Sequence, residues 1–127
     1  MKTVRNPDTV HAPAGRYVHQ IEVTNPSKVV FISGQVGQRP DGSLPDDPND
    51  QFEIAVENVL RNIAAAGLEA SDLTKVTIYA VAELDPARRR ATLDRLLGSH
   101  VSCSTFLYVA GLARPEYKVE VEGWAAA

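Results

Sequence analysis

Cysteine is nearly absent. Cys103 stands alone among 127 residues, so no internal disulfide can form. The histidines, His11, His19 and His100, share no spacing with it that builds a zinc framework, and no metal is expected. Long hydrophobic runs are missing too: nowhere do about eighteen apolar residues follow one another, which excludes a membrane-spanning helix. The opening Met1-Lys2-Thr3-Val4-Arg5-Asn6-Pro7 is charged and meets proline before any apolar stretch, so it does not read as a signal peptide. Nor is there a block of positive charge. Thirteen Lys and Arg against sixteen Asp and Glu leave a net charge of −3, which disfavours nucleic acid as the partner. A reducing, cytoplasmic location fits this inventory. The length suits one domain over residues 1–127, with a core that needs no covalent staple.

What is present is well-punctuated periodicity. Tyr17–Val23 and Lys28–Ser33, separated by Asn25-Pro26-Ser27, read as a hairpin. Phe52, Val56, Val59, Leu60 and Ile63 form a helical stripe, with Asp47 as cap, Pro48 in the first turn and Gly67 as stop. Lys75–Ala82 is rich in β-branched residues and predicts a strand. Asp85-Pro86 opens a second helix carrying Leu93, Leu96 and Leu97 and ending at Gly98. Ser102–Ala110 and Tyr117–Trp124 read as two further strands. The order ββ, α, β, α, ββ predicts an α+β fold with one mixed sheet and both helices on one face. Val29, Phe31, Val76, Ile78, Leu107 and Val109 are more apolar strand residues than two short helices can cover, so the other face is expected to meet a second subunit.

Alternation sets Glu120 and Glu122 on one face of the last strand with Lys118 and Trp124, and Val119 and Val121 on the other. Ser102, Ser104, Phe106 and Tyr108 share a face of the preceding strand, opposite Cys103, Thr105 and Leu107. No histidine lies beside Cys103 or Ser104 in the local sequence to activate either as a nucleophile, and Cys103 reads as a small buried residue. Arg88-Arg89-Arg90, three successive helical residues, spread around the helix and read as a solvated face.

Several short motifs occur in a fixed order: Gly15-Arg16-Tyr17-Val18-His19, Val30-Phe31-Ile32-Ser33-Gly34-Gln35, Val59-Leu60-Arg61-Asn62-Ile63 with Ala66-Gly67-Leu68, Asp72-Leu73-Thr74-Lys75-Val76 and Val119-Glu120-Val121-Glu122. Together, from about Gly15 to Ala125, they resemble the Rid/YjgF family, which is also known under the labels endoribonuclease L-PSP and reactive intermediate deaminase. The resemblance implies a chorismate-mutase-like fold, a homotrimer with small-molecule sites between subunits, hydrolysis of enamines or imines derived from amino acids, and no metal or organic cofactor. It also implies roles. Glu120 falls on the family's glutamate, which positions or activates water, Tyr17 on its tyrosine, and Ser33 and Gly34 on the turn whose backbone lines the pocket.

The chain departs from the pattern where the family holds its substrate carboxylate. Ser104 stands in place of the arginine, Arg16 in place of a proline, and Ala91 at a frequent asparagine. Losing a bidentate guanidinium clamp predicts weak action on ordinary 2-imino acids. Arg16 or Arg114 can supply a cation from another direction. Otherwise Ser102, Ser104, Tyr108 and Glu120, with Cys103 nearby, would line a hydroxyl-rich pocket. Two readings remain: a deaminase-type hydrolase with Glu120 as acid/base, and a non-catalytic trimeric metabolite-binding protein. For a ribonuclease the acidic chain offers neither a histidine pair near a phosphate clamp nor a basic groove.

Overall fold

The computed structural model describes all residues 1–127. Strands β1 (Lys2–Arg5) and β2 (Gln20–Val23) form a small antiparallel ribbon. Strands β3 (Val29–Val36), β4 (Leu73–Ala80), β5 (Cys103–Tyr108) and β6 (Val119–Ala126) form the main sheet in the order β3-β6-β4-β5. Only the β4–β5 pair is parallel, so the sheet is mixed as expected. Helix α1 (Pro48–Ala65) and helix α2 (Pro86–Leu97) carry the anticipated caps: the Asp47 carboxylate accepts from Asn49 N–H at 2.8 Å and that of Asp85 from Ala87 N–H at 3.0 Å. No helix is long and apolar enough to cross a membrane.

The expected hairpin does not form. The Tyr17–Val23 segment is strand only from Gln20, and β2 pairs with β1, in the register Lys2↔Val23 to Arg5↔Gln20. β3 pairs instead with β6, and Lys28 exchanges backbone hydrogen bonds with Ala127 just beyond the ladder. The physical reason is matching of length and polarity. Eight-residue β3 finds an eight-residue partner with a fully buried side, whereas four-residue β2 alternates between exposed and half-buried and suits an outer ribbon.

The core fills the space between α1 and the sheet. Phe52, Ala55, Val56, Val59 and Ile63 of α1 pack on Ile32, Val76, Ile78, Val119, Val121 and Ala125. Burying a helix stripe of this kind is the main force holding α1 in place, at about 1.5–3 kcal/mol per large side chain. The opposite face of the sheet is bare. Phe31 and Trp124, cross-strand partners 5.8 Å apart edge to face, are 72% and 51% exposed, and Leu107 and Val29 are also exposed. Hydrophobic surface of this extent, flanked by Glu120, Glu122 and Lys75, is unusual on a protein that stays monomeric.

Candidate functional site

A cleft of about 410 Å³ lies on the helix side of the sheet, at its β5 edge. Its walls come from the loop Ala14–Tyr17, from Pro86, Arg89, Arg90 and Leu93 of α2, and from Ile78, Ser104 and Phe106 of the strands. The loop is held firmly. Arg16 donates from Nε to Asp94 Oδ1 at 2.8 Å and from a terminal nitrogen to the Gly98 carbonyl at 2.7 Å, and its side chain is only 9% exposed. Val18 N–H donates to the Ser102 carbonyl, and Ala14 N–H to the Tyr17 hydroxyl at 3.1 Å. Arg16 is therefore a strut between loop and helix, its Nε and one terminal nitrogen spent on Asp94 and Gly98.

The second feature lies across the sheet. In β3 the ladder to β6 slips between Ile32 and Gln35, which takes Ser33 and Gly34 out of regular pairing. The Glu120 carboxylate occupies the space over Gly34 so closely that a Cβ at that position would collide with it. Glu120 pairs with Tyr79 in register and shares the bare face with Glu122, whose Oε1 accepts from the Tyr79 hydroxyl at 2.8 Å. That hydrogen bond to a carboxylate holds the phenol proton and pushes the Tyr79 pKa up.

Within one chain the structure keeps apart residues that the resemblance assigns to a site between subunits. Ser104 faces the helices and Glu120 the bare face, so within one chain they cannot line one pocket. Cys103, beside Lys75, points away from Ser104 onto the bare face, and it is half-buried rather than part of the core. Ser102 is buried beneath the strand. Tyr108 keeps to the Ser104 side but stacks edge to face on Phe106 and is largely exposed, its hydroxyl accepting from Leu84 N–H at 3.4 Å. Arg114 lies apart in the loop before β6, beside Tyr117 and a different depression.

Sequence reasoning missed Arg89. Its neighbours are neutralised: Arg88 reaches Asp47, Asp50 and Glu53, Arg90 pairs with Asp94 at 3.4 Å, and Arg95 with Glu57 at 3.7 Å. Arg89 has no carboxylate partner and lies with its guanidinium 4.3 Å from the Phe106 ring centre, inside the cleft with Tyr17 and Ser104. A signal was available. Arg89, Leu93, Leu96 and Leu97 sit at i, i+4, i+7 and i+8, on the stripe that faces the sheet.

The family model described as Endoribonuclease L-PSP matches residues 9–127. The 2-iminobutanoate/2-iminopropanoate deaminase of Escherichia coli is 30% identical over 122 residues, covering 92% of this chain and 93% of that protein. The putative reactive intermediate deaminase TdcF of E. coli is 36% identical over 75 residues, a match that spans 56% of its length. Among solved structures, YyfB of Yersinia pestis, a Rid-family protein of unknown function, superposes with a TM-score of 0.83 at 25% identity, covering 99% of this chain and 98% of that one. E. coli TdcF with bound serine gives 0.71 at 26% identity, with 98% of each chain covered.

Proposed function

The chain belongs to the endoribonuclease L-PSP (Rid/YjgF) family, and within it we propose that it is a deaminase-type hydrolase of small enamines or imines, working in clefts between the subunits of a homotrimer with Glu120 as acid/base. The observation that carries this reading is the seating of the Glu120 carboxylate on Gly34, beside backbone released from the β3–β6 ladder. A carboxylate held in that way can take a proton from water as the oxygen adds to the C=N carbon and pass it to nitrogen, then take the hydroxyl proton of the resulting carbinolamine and deliver it to nitrogen as the C–N bond breaks and the carbonyl forms. Water is consumed, and ammonia and a carbonyl compound leave.

The placement of the two features supports a ring assembly. The cleft with Tyr17 and Ser104 is at the β5 edge of the sheet, whereas Ser33 and Gly34 are on the opposite edge strand β3, with the Glu120 carboxylate reaching over Gly34 from the adjacent strand β6. Opposite edges of identical chains come together in a head-to-tail ring rather than in a twofold dimer, and three copies are the arrangement that the family resemblance implies. The exposed Phe31–Trp124 face would be covered in the same step. The deaminase relative supports the choice of reaction.

The test couples an amino-acid oxidase, which generates 2-iminobutanoate, to measurement of ammonia release. Glu120→Gln should lower the acceleration by about 10²-fold or more while leaving the native mass unchanged. Full activity of that variant, or a wild-type chain that binds 2-oxobutanoate and accelerates nothing, would favour a metabolite-binding protein instead.

A further inference from the structure

We propose that Arg89 is the residue that binds the substrate carboxylate, so that the cation absent at position 104 is supplied from α2 and the substrates are small carboxylates such as 2-imino acids. This rests on the placement of the site in the subunit cleft argued above, and it replaces the expectation that the Ser104 pocket lacks positive charge.

Three observations converge. First, Arg89 is the one arginine of α2 without an acidic partner, because the carboxylates of α1 and of Asp94 are taken by Arg88, Arg90 and Arg95. An unpaired, half-buried guanidinium retains its donors for a ligand. Second, it is pre-positioned. Its guanidinium carbon lies over the Phe106 ring, 4.3 Å from the centre, a contact that spends none of its N–H donors on a carboxylate and reduces the side-chain entropy still to be lost when an anion arrives. Third, it lines the same cleft as Ser104 and Tyr17, so a carboxylate on Arg89 also has the Ser104 hydroxyl as a neighbouring donor. The other two arginines of the cleft wall are engaged elsewhere: Arg16 bonds to Asp94 and the Gly98 carbonyl, and Arg90 pairs with Asp94.

The geometry of a guanidinium fork against a carboxylate predicts discrimination by charge and shape, not only by affinity. The experiment titrates wild type, Arg89→Gln, Arg89→Lys and, as a control outside the cleft, Arg95→Gln with 2-oxobutanoate and with its neutral amide, followed by protein-observed NMR. Arg89→Gln should weaken 2-oxobutanoate by about ten- to hundredfold and leave the amide unchanged. Arg89→Lys should recover only part of the loss, and Arg95→Gln should match wild type. Thermal melts and native mass establish that the variants are folded and assembled. Should Arg89→Gln not fold, the lysine variant decides: the proposal requires a smaller preference for acid over amide, and an unchanged preference overturns it. An Arg89→Gln chain with an unchanged acid-to-amide ratio overturns it as well, even where Glu120→Gln abolishes turnover and the hydrolase reading stands. Conversely, an active Glu120→Gln chain would sink the hydrolase reading and leave the carboxylate titration to be judged independently.

Discussion

The carboxylate of Glu120 rests directly against the Cα of Gly34, a position with no room for even a methyl group. The two residues come from neighbouring strands, and the slip in register between Ile32 and Gln35 is what lets the side chain of one lie over the backbone of the other. The glycine therefore fixes where the Glu120 carboxylate sits.

Gly34→Ala tests that relationship. The added methyl must push the Glu120 carboxylate aside, because the obstacle is the end of a side chain that can rotate away. The fold should survive with little change in melting temperature, and turnover should fall by about 10²-fold, the usual penalty for a displacement of about an ångström. Unchanged kinetics would show that Glu120 does not act from this position.

Much of the framework was legible because it is written locally. Asp47-Pro48 and Asp85-Pro86 announce their helices, the α1 stripe is a clean period of 3.6, and V-E-V-E separates buried from half-buried residues on β6. Pairing partners were not legible. Lys2-Thr3-Val4-Arg5 resembles a charged tail until β2 closes on it across Arg5↔Gln20, and nothing in Gln20–Val23 shows that it will refuse β3. The charge state of the arginine run was hidden for the same reason. Arg88 is neutralised by Asp50 and Glu53, some 35 residues earlier in the chain, and only that pairing distinguishes it from Arg89. Ser104 and Glu120 share a site in the resemblance because that site lies between subunits; that they face opposite sides of the sheet within one chain was not legible, since alternation assigns a face within a strand but not which faces of two strands coincide.

The bare sheet face makes a prediction about mass. Phe31→Asp combined with Trp124→Asp places two carboxylates where neighbouring subunits are expected to meet, and removing paired aromatic anchors raises dissociation constants by about 30-fold or more. Light scattering at micromolar concentration should return a trimer for wild type and a monomer for the double variant, with the same far-ultraviolet circular dichroism. A wild-type monomer would remove the shared cleft, and an intact trimer in the variant would place the interface elsewhere.

Gln51 is the most consequential buried polar side chain. Its Nε2 donates to the carbonyls of Pro45 at 2.8 Å and Glu116 at 3.1 Å, and its Oε1 accepts from Lys118 N–H at 2.8 Å. It thereby ties the loop before α1 and the entry to β6 to a single point in the core. Gln51→Leu keeps the volume and strands those three backbone groups, and at about 1–3 kcal/mol for each unsatisfied group it should be strongly destabilising. Denaturant unfolding measures the loss. A change below about 0.5 kcal/mol, the usual size for a surface substitution, would show that water replaces the side chain.

The strut between Arg16 and Asp94 should appear in acid. The hydrogen bond from Arg16 is the main reason that Asp94 titrates below its ordinary value of 3.8, with Arg90 assisting. For a carboxyl whose pKa is depressed by folding, the stabilisation is complete above the unfolded value and disappears as the pH falls through the lower, folded one. Asp94→Asn abolishes that dependence by removing the charge. Wild type should therefore melt above the variant at neutral pH, and the two curves should converge as the pH drops below 3.8. Because the strut also fixes the loop carrying Tyr17, the variant should raise KM in the 2-iminobutanoate assay more than it lowers kcat, in keeping with a loosened cleft wall and an untouched Glu120. A gap in melting temperature that stays constant through the acid range would mean that the Arg16–Asp94 bond contributes nothing through its charge.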